Sequence, residues 1–254
     1  MIFPPTITII GTGNVAEILG QRLFDEGFQV VSVVGRNKER ASKLANKWSA
    51  SIENITDFSG EFALVCLPDS VTKEVVEQID NQKFVAYTGG SISLTEILHP
   101  NCGVFYPLQT FSKSRKEKTL KFPILFESKT KEISDIMHKI GTRISERVEY
   151  CDSKKRKHIH LSAVFINNFS NHVIYLGQKL AQKNNIDPQL FTALIEETFA
   201  KLKDLSPQEA QTGPAVRNDL ATIKSHLELL EGGEREIYKL LTNNLLKTFG
   251  HDQL

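Results

Sequence analysis

The chain has 254 residues, enough for two domains and a large core, and its 31 Lys and Arg against 30 Asp and Glu leave a formal net charge of +1. That balance gives neither nucleic acid nor an anionic membrane a reason to be the main partner, and no apolar run approaches the roughly 18 residues of a membrane span. The first five residues carry no basic region or long apolar stretch to act as a secretory signal, and Cys66, Cys102 and Cys151 are odd in number and widely spaced, so the expected setting is a reduced cytoplasm.

Residues 6–10 form an apolar, β-branched run that enters Gly11-Thr12-Gly13-Asn14-Val15-Ala16, a Gly-x-Gly-x-x-Ala turn opening a helix. In that pattern Gly11 permits a tight turn, Gly13 lacks the Cβ that would block an approaching phosphate, and Ala16 lets the helix pack closely on the strand. The first N–H groups and the positive end of the helix dipole then face an anion, so residues 11 to 16 are the expected seat of a dinucleotide's pyrophosphate. The alternative is a glycine turn that merely packs.

Val15, Ile18, Leu19 and Leu23 recur at helical spacing, and Gly27 stops that helix. Strands at 30–34, 62–67 and 84–87 then alternate with helices at 38–48 and 71–79, which predicts a parallel sheet covered on both faces. Residues 104–106 and 123–126 read as later strands, 131–140 as a helix, and 143–148 as the last strand. Beyond Tyr150 only helices are expected, at 153–183, 188–205, 216–230 and 234–249, with Asp152 or Ser153 capping the first and Pro188 opening the second. The fold class is therefore α/β, a doubly wound and mainly parallel sheet in residues 1–151, followed by an all-α domain in residues 152–254.

The end of the second strand decides the cofactor. An NAD site places Asp or Glu there for the ribose hydroxyls, whereas this chain has Gly35-Arg36-Asn37-Lys38. Arg36 offers a planar, permanently charged fork for a 2′-phosphate, with Asn37 beside it and Lys38 or Arg40 as a second cation. NADP is the expected cofactor; the alternative is a solvated basic turn. Ligands of open parallel sheets lie beyond the carboxyl ends of the strands, so Cys66-Leu67-Pro68-Asp69-Ser70 is expected to border the ribose and nicotinamide, Leu67 and Pro68 directly. Thr88-Gly89-Gly90-Ser91 is the expected neighbouring wall. Asp69 reads equally well as a helix cap or as a catalytic group.

In the helical half, a period of 3.6 puts His160, Asn167 and Asn171 on one face and Leu161, Phe165, Phe169 and Leu176 on the opposite side. His160 is the one group on the polar stripe able to exchange a proton near neutral pH, and Asn167 or Asn168 suits a substrate carbonyl or carboxylate. The alternative is a polar face that meets only water. His158, His160 and His172 lack a cysteine or carboxylate pattern to complete a metal site, so no metal is expected. Basic runs at 113–118 and 154–157 read as solvated segments. The leucines at 227, 230, 240, 241, 245 and 246 exceed what a small helical domain buries alone, which points to a homodimer formed by that half.

The glycine turn, the Leu-Pro-Asp loop and the helical second half resemble pyrroline-carboxylate reductase and the hydroxyisobutyrate and phosphogluconate dehydrogenase group. Phe105-Tyr106-Pro107-Leu108-Gln109-Thr110-Phe111, Ala163-Val164-Phe165-Ile166-Asn167-Asn168-Phe169, and Thr212-Gly213-Pro214 with Arg217 and Asp219 resemble a branch that pairs a Rossmann-like NADP oxidoreductase domain with a helical domain of unknown function. The resemblance implies hydride transfer between NADP(H) and a small carbonyl, hydroxy-acid or imine substrate in a cleft between the two domains. It departs at one position. The related hydroxyacid dehydrogenases carry a lysine four residues before their active-site Asn, where this chain has Ala163 (from Asn167) or Val164 (from Asn168). Either His160, Tyr106 or another group takes the role of that lysine, or the protein is a non-catalytic NADP-binding sensor or interaction protein.

Overall fold

A computed structural model describes residues 4–112 and 122–254, so the basic run at 113–118 lies outside the described residues. Strand β1 (Ile7–Ile10) is buried along its whole length, as a central parallel strand must be. It feeds helix α1 (Asn14–Asp25), which buries Ala16, Leu19, Gly20 and Leu23 and ends at Gly27, a residue at φ +82° whose N–H bonds the Phe24 carbonyl. After β2 (Val30–Val34), helix α2 (Lys38–Trp48) starts at Asn37, whose side chain accepts the Arg40 N–H at 2.9 Å. The Trp48 ring lies directly over Gly20, where a Cβ would collide with it, and its indole N–H donates to Gln21 Oε1 at 3.1 Å.

The sheet continues with β3 (Ser51–Ile52), β4 (Phe62–Val65), β5 (Phe84–Tyr87), β6 (Cys102–Pro107), β7 (Ile124–Ser128) and β8 (Val148–Tyr150), with α3 (Asp69–Glu77) and α4 (Lys131–Ile144) between strands. Among the described residues these form one eight-stranded sheet in the order β3-β2-β1-β4-β5-β6-β7-β8. Neighbours pair in parallel except β6 and β7, which run antiparallel, so the Rossmann-type, mainly parallel sheet is present. Alternate residues split the core into two clusters: Ile7, Ile9, Phe62 and Leu64 join one with α1, α2 and α4, while Ile10, Ala63 and Val65 join the other with Val76 of α3.

Three boundaries depart from the sequence reading. The last strand is not at 143–148, because the apolar stripe Ile133, Ile136, Met137, Ile140 and Ile144 carries α4 on to Ile144 and moves β8 to Val148–Tyr150. Helix α3 begins at Asp69, two positions before the expected start. Strand β3, two exposed residues long, offers no pattern to read.

The chain divides into two compact units, one up to Asn167 and the other from Asn168. The expected boundary near Cys151 marks the end of the sheet, but helix α5 (Ser153–Ala163) belongs with it. Arg156 is fully buried and donates from Nη1 to Glu127 on β7 at 2.6 Å and from Nη2 to the Ile92 carbonyl at 2.7 Å. Asp152 caps the helix by accepting the Lys155 N–H at 2.8 Å.

From α5 the chain passes through a π turn (Val164–Phe169) into α6 (Ser170–Lys183), then α7 (Thr192–Ala200), α8 (Leu220–Glu228) and α9 (Gly232–Thr248). No strand follows Tyr150 among the described residues. The second unit has a small core of Ala215, Ile223 and Leu246, flanked by Leu227, Tyr238 and Leu245. Leu190, Leu229 and Leu240 are 73%, 79% and 71% exposed. No helix of the described residues is long and apolar enough to cross a membrane.

Candidate functional site

The carboxyl ends of β1, β2 and β4 open onto a cavity of about 1030 Å³. Gly11, Thr12, Gly13, Arg36, Asn37, Leu67 and Pro68 all line it, so seven residues chosen from separate strand ends surround one space. The two glycines of the turn do different work. Gly11 sits at φ +124° with its α-carbon against the Cys66 carbonyl, where a Cβ would collide, so its job is the turn and the close approach of β4. A Cβ on Gly13 would meet nothing within 4 Å, and this residue faces the cavity. The open space beside Gly13 is a cradle that fits the pyrophosphate of a dinucleotide at the amino end of α1.

Asn14, Val15 and Ala16 do not line this cavity. Asn14 donates its side-chain amide to the Phe111 carbonyl at 3.0 Å, tying the glycine turn to the segment after β6. Val15 packs against the core and Ala16 is fully buried, which is the close helix-to-sheet packing its small side chain permits. Arg40 lines the cavity as a second cation whereas Lys38 does not, because Asn37 caps α2 and sets the helical phase in which Arg40 comes round. Glu53, Asn54 and Ile55 beyond β3, Val71, Glu74 and Val75 on α3, and Gln78 just past its end also line the cavity. None of these stood out in the sequence, since β3 carries no pattern and α3 reads there only as an amphipathic helix. Although burial pushes the Glu53 carboxyl up, hydrogen bonds from Ser51, Ser32 and Ser59 hold it below its ordinary range. The carboxylate is thus ionised with Ser51 Oγ and the Ser59 N–H already on it.

A second cluster stands at the carboxyl ends of β5 and β6. The Tyr106 hydroxyl and His160 Nδ1 hydrogen-bond at 3.1 Å, with the rings edge to face at 5.9 Å. Both side chains are half-buried against Gly90, where a Cβ would lie 2.9 Å from His160 Nδ1 and from the Tyr106 ring. Burial pushes the Tyr106 hydroxyl above its ordinary range, the Asp69 charge raises it further, and Arg156 opposes both. The hydroxyl therefore keeps its proton through neutral pH. Asp69 caps no helix: Pro68 holds the cap position of α3, and the Asp69 carboxylate instead crosses to accept from the Ser91 N–H at 3.3 Å and from the Ser91 hydroxyl.

The polar stripe expected on the long helix does not keep its period. Val164–Phe169 form a wider π turn, so the seven-residue spacing from His160 to Asn167 runs into backbone that a 3.6 period does not describe. Asn167 closes the first unit and Asn168 opens the second, and both side chains are exposed. The apolar stripe is exposed as well: Leu161, Phe165 and Phe169 are each half or more open to solvent. Among the described residues no group of three or more His, Cys, Asp or Glu is placed to hold a metal ion. The three cysteines are free and buried, and burial pushes the Cys66 thiol up to about 12, which keeps it protonated and unreactive.

Residues 6–86 match the family described as NADP oxidoreductase coenzyme F420-dependent, and residues 122–245 match a domain of unknown function, DUF2520. A solved structure from Bacteroides fragilis, described as a putative NADP oxidoreductase, is 35% identical, with 96% of this chain and 98% of that one aligned at a TM-score of 0.87. This chain belongs to that NADP oxidoreductase family. Within the family's fold, a Thermotoga maritima protein is 21% identical over 96% of this chain and 98% of its own, with a TM-score of 0.74. The 1-pyrroline-5-carboxylate reductase of Streptococcus pyogenes shares the fold at 14% identity and a TM-score of 0.62, over 96% and 98% of the two chains. A glutamyl-tRNA reductase of Listeria innocua is 26% identical over 94 residues, which span 36% of this chain and 22% of that enzyme.

Proposed function

We propose that this protein transfers a hydride between NADP(H) and a small carbonyl, hydroxy-acid or imine compound, with the Tyr106–His160 pair moving the accompanying proton. The observation that carries this reading is a cavity that joins an open cradle at Gly13 on one strand end to Arg36 with Arg40 on the next. Gly11 to Gly13 and the amino end of α1 would hold the pyrophosphate, Arg36 and Arg40 the 2′-phosphate, and Leu67 and Pro68 the neighbouring ribose. When bound, the nicotinamide supplies the hydride and carries the redox chemistry.

The chain's own residues supply the proton. A Tyr106 hydroxyl kept protonated at neutral pH donates to the substrate heteroatom, and His160 Nδ1, 3.1 Å away, restores the proton. In the reverse direction the same pair accepts it. Asn167, exposed on the π turn, is proposed to orient the substrate by its amide. The pair takes the role of the lysine replaced by Ala163 or Val164. The same replacement favours the second reading, a sensor that binds NADP without turnover. Mixing the protein with NADPH and a panel of keto acids, aldehydes and imines separates the two: consumption of NADPH with any member supports the enzyme, and tight binding with no consumption across the panel supports the sensor.

The free, buried cysteines support a cytoplasmic setting. The exposed Leu190, Leu229 and Leu240 support a homodimer built on the helical unit.

A further inference from the structure

Two consecutive glycines after β5 bring three reactive side chains onto one short stretch of backbone. A Cβ on Gly89 would stand 2.5 Å from Asp69 Oδ1, and a Cβ on Gly90 would stand 2.9 Å from both His160 Nδ1 and the Tyr106 ring. Glycine at both positions is what lets a carboxylate approach on one side and the tyrosine–histidine pair on the other.

Among the described residues the cluster's carboxylate stands without a paired cation. Asp69 is half-buried, has no ion-pair partner among the described residues, and has two hydrogen bonds from Ser91 on Oδ2, which leave Oδ1 facing Gly89. Arg156, whose charge also reaches Tyr106, is fully buried and committed to Glu127 at 2.6 Å. Lys157, on the same helix as His160, pairs with Glu96 at 3.6 Å. Tyr106 is neutral. A substrate whose reacting carbon carries a carboxylate would bring a second negative charge beside Asp69, which pairs with no cation among the described residues. A protonated imine would bring the missing positive charge.

We infer that the substrate is a protonated carbon–nitrogen double bond, held by the Asp69 carboxylate, and that 2-oxo and 2-hydroxy acids are disfavoured. The inference rests on the oxidoreductase reading above and narrows it. The Tyr106–His160 pair first protonates the imine nitrogen, drawing its replacement proton from solvent. Hydride from NADPH then adds to the imine carbon, the π pair of the C=N bond moves onto nitrogen, and the products are a neutral amine and NADP⁺. The amine takes a proton from water on release.

The test compares a cyclic imine (2,3,4,5-tetrahydropyridine), an uncharged ketone (cyclopentanone) and a 2-oxo acid (2-oxobutanoate) as substrates, following NADPH consumption. Calorimetry with piperidinium chloride reads the charge of the site without turnover. The expected result is preferred turnover of the imine, with Asp69→Asn raising its KM about tenfold or more and weakening piperidinium equally. NADPH affinity and the KM of the ketone should stay within about twofold. Ser91→Ala keeps the charge while removing the hydroxyl contact, so it should change the imine KM far less than Asp69→Asn does. Preference for the 2-oxo acid, or equal effects of Asp69→Asn on imine and ketone, overturns the inference and leaves the oxidoreductase reading standing. NADPH binding with no consumption on any of the three overturns both.

Discussion

Gly11 and Gly13 stand two residues apart in one turn, yet substitutions there should fail in different ways. Gly13 has extended backbone at φ −81° and ψ −175°, open to any residue, and a Cβ there meets nothing within 4 Å. Gly13→Val should therefore keep its unfolding free energy within about 1 kcal/mol of the parent, the cost being a poorer helix cap. Its branched side chain, however, fills the space in which a pyrophosphate would sit. Losing two backbone hydrogen bonds to a charged group, at about 1.5–3 kcal/mol each, amounts to roughly 3–6 kcal/mol, or a 10²- to 10⁴-fold weaker NADPH affinity. Gly11 is the opposite case. At φ +124° with the Cys66 carbonyl in the way, Gly11→Ala must adopt strained backbone worth about 1–3 kcal/mol and also push against the end of β4. Urea unfolding and NADPH calorimetry on the two variants side by side check both halves. A folded Gly13→Val protein that binds NADPH like the parent, or a Gly11→Ala protein as stable as the parent, would refute the reasoning.

Arg36→Ala should weaken NADPH binding by ~1.5–3 kcal/mol and leave NADH binding nearly unchanged, since only the former has a phosphate for the guanidinium; titration of both cofactors measures the difference. Tyr106→Phe or His160→Ala should lower turnover by ~10²–10⁴-fold with cofactor affinity intact. Because burial and Asp69 raise the Tyr106 hydroxyl and a donor works only while protonated, the alkaline fall in the parent's turnover should lie above the ordinary tyrosine range. A pH profile that falls at or below that range counts against Tyr106 as the donor. Light scattering at micromolar concentration should give twice the chain mass, and a single-chain mass removes the homodimer.

The sheet was legible because its strands are continuous β-branched runs and its turns carry residues of narrow conformational use, as Gly27 and Asn37 illustrate. The cavity lining was legible wherever a strand end announces itself, at Gly11 to Gly13, Arg36 and Leu67-Pro68. What escaped is non-local or aperiodic. Tyr106 and His160 lie 54 residues apart, and nothing local to either tells that β6 and α5 bring them together. The π turn follows no period that a helical wheel assumes, and Asn167 and Asn168 both lie within it. Asp69 next to Pro68 has the look of a helix cap, and only the third dimension sends its carboxylate to Ser91.

The burial of Arg156 has a consequence for dissecting the protein. Glu127 is only 12% exposed and faces that guanidinium, so a fragment ending at Cys151 would strand a carboxylate inside the sheet unit and forfeit about 3–5 kcal/mol, a loss on the scale of a whole domain's stability. Cutting after Asn167 keeps the cation, its hold on the Ile92 carbonyl and the histidine one turn further along. The compact unit is therefore longer than the sheet itself, and its last helix carries one partner of the Tyr106–His160 hydrogen bond.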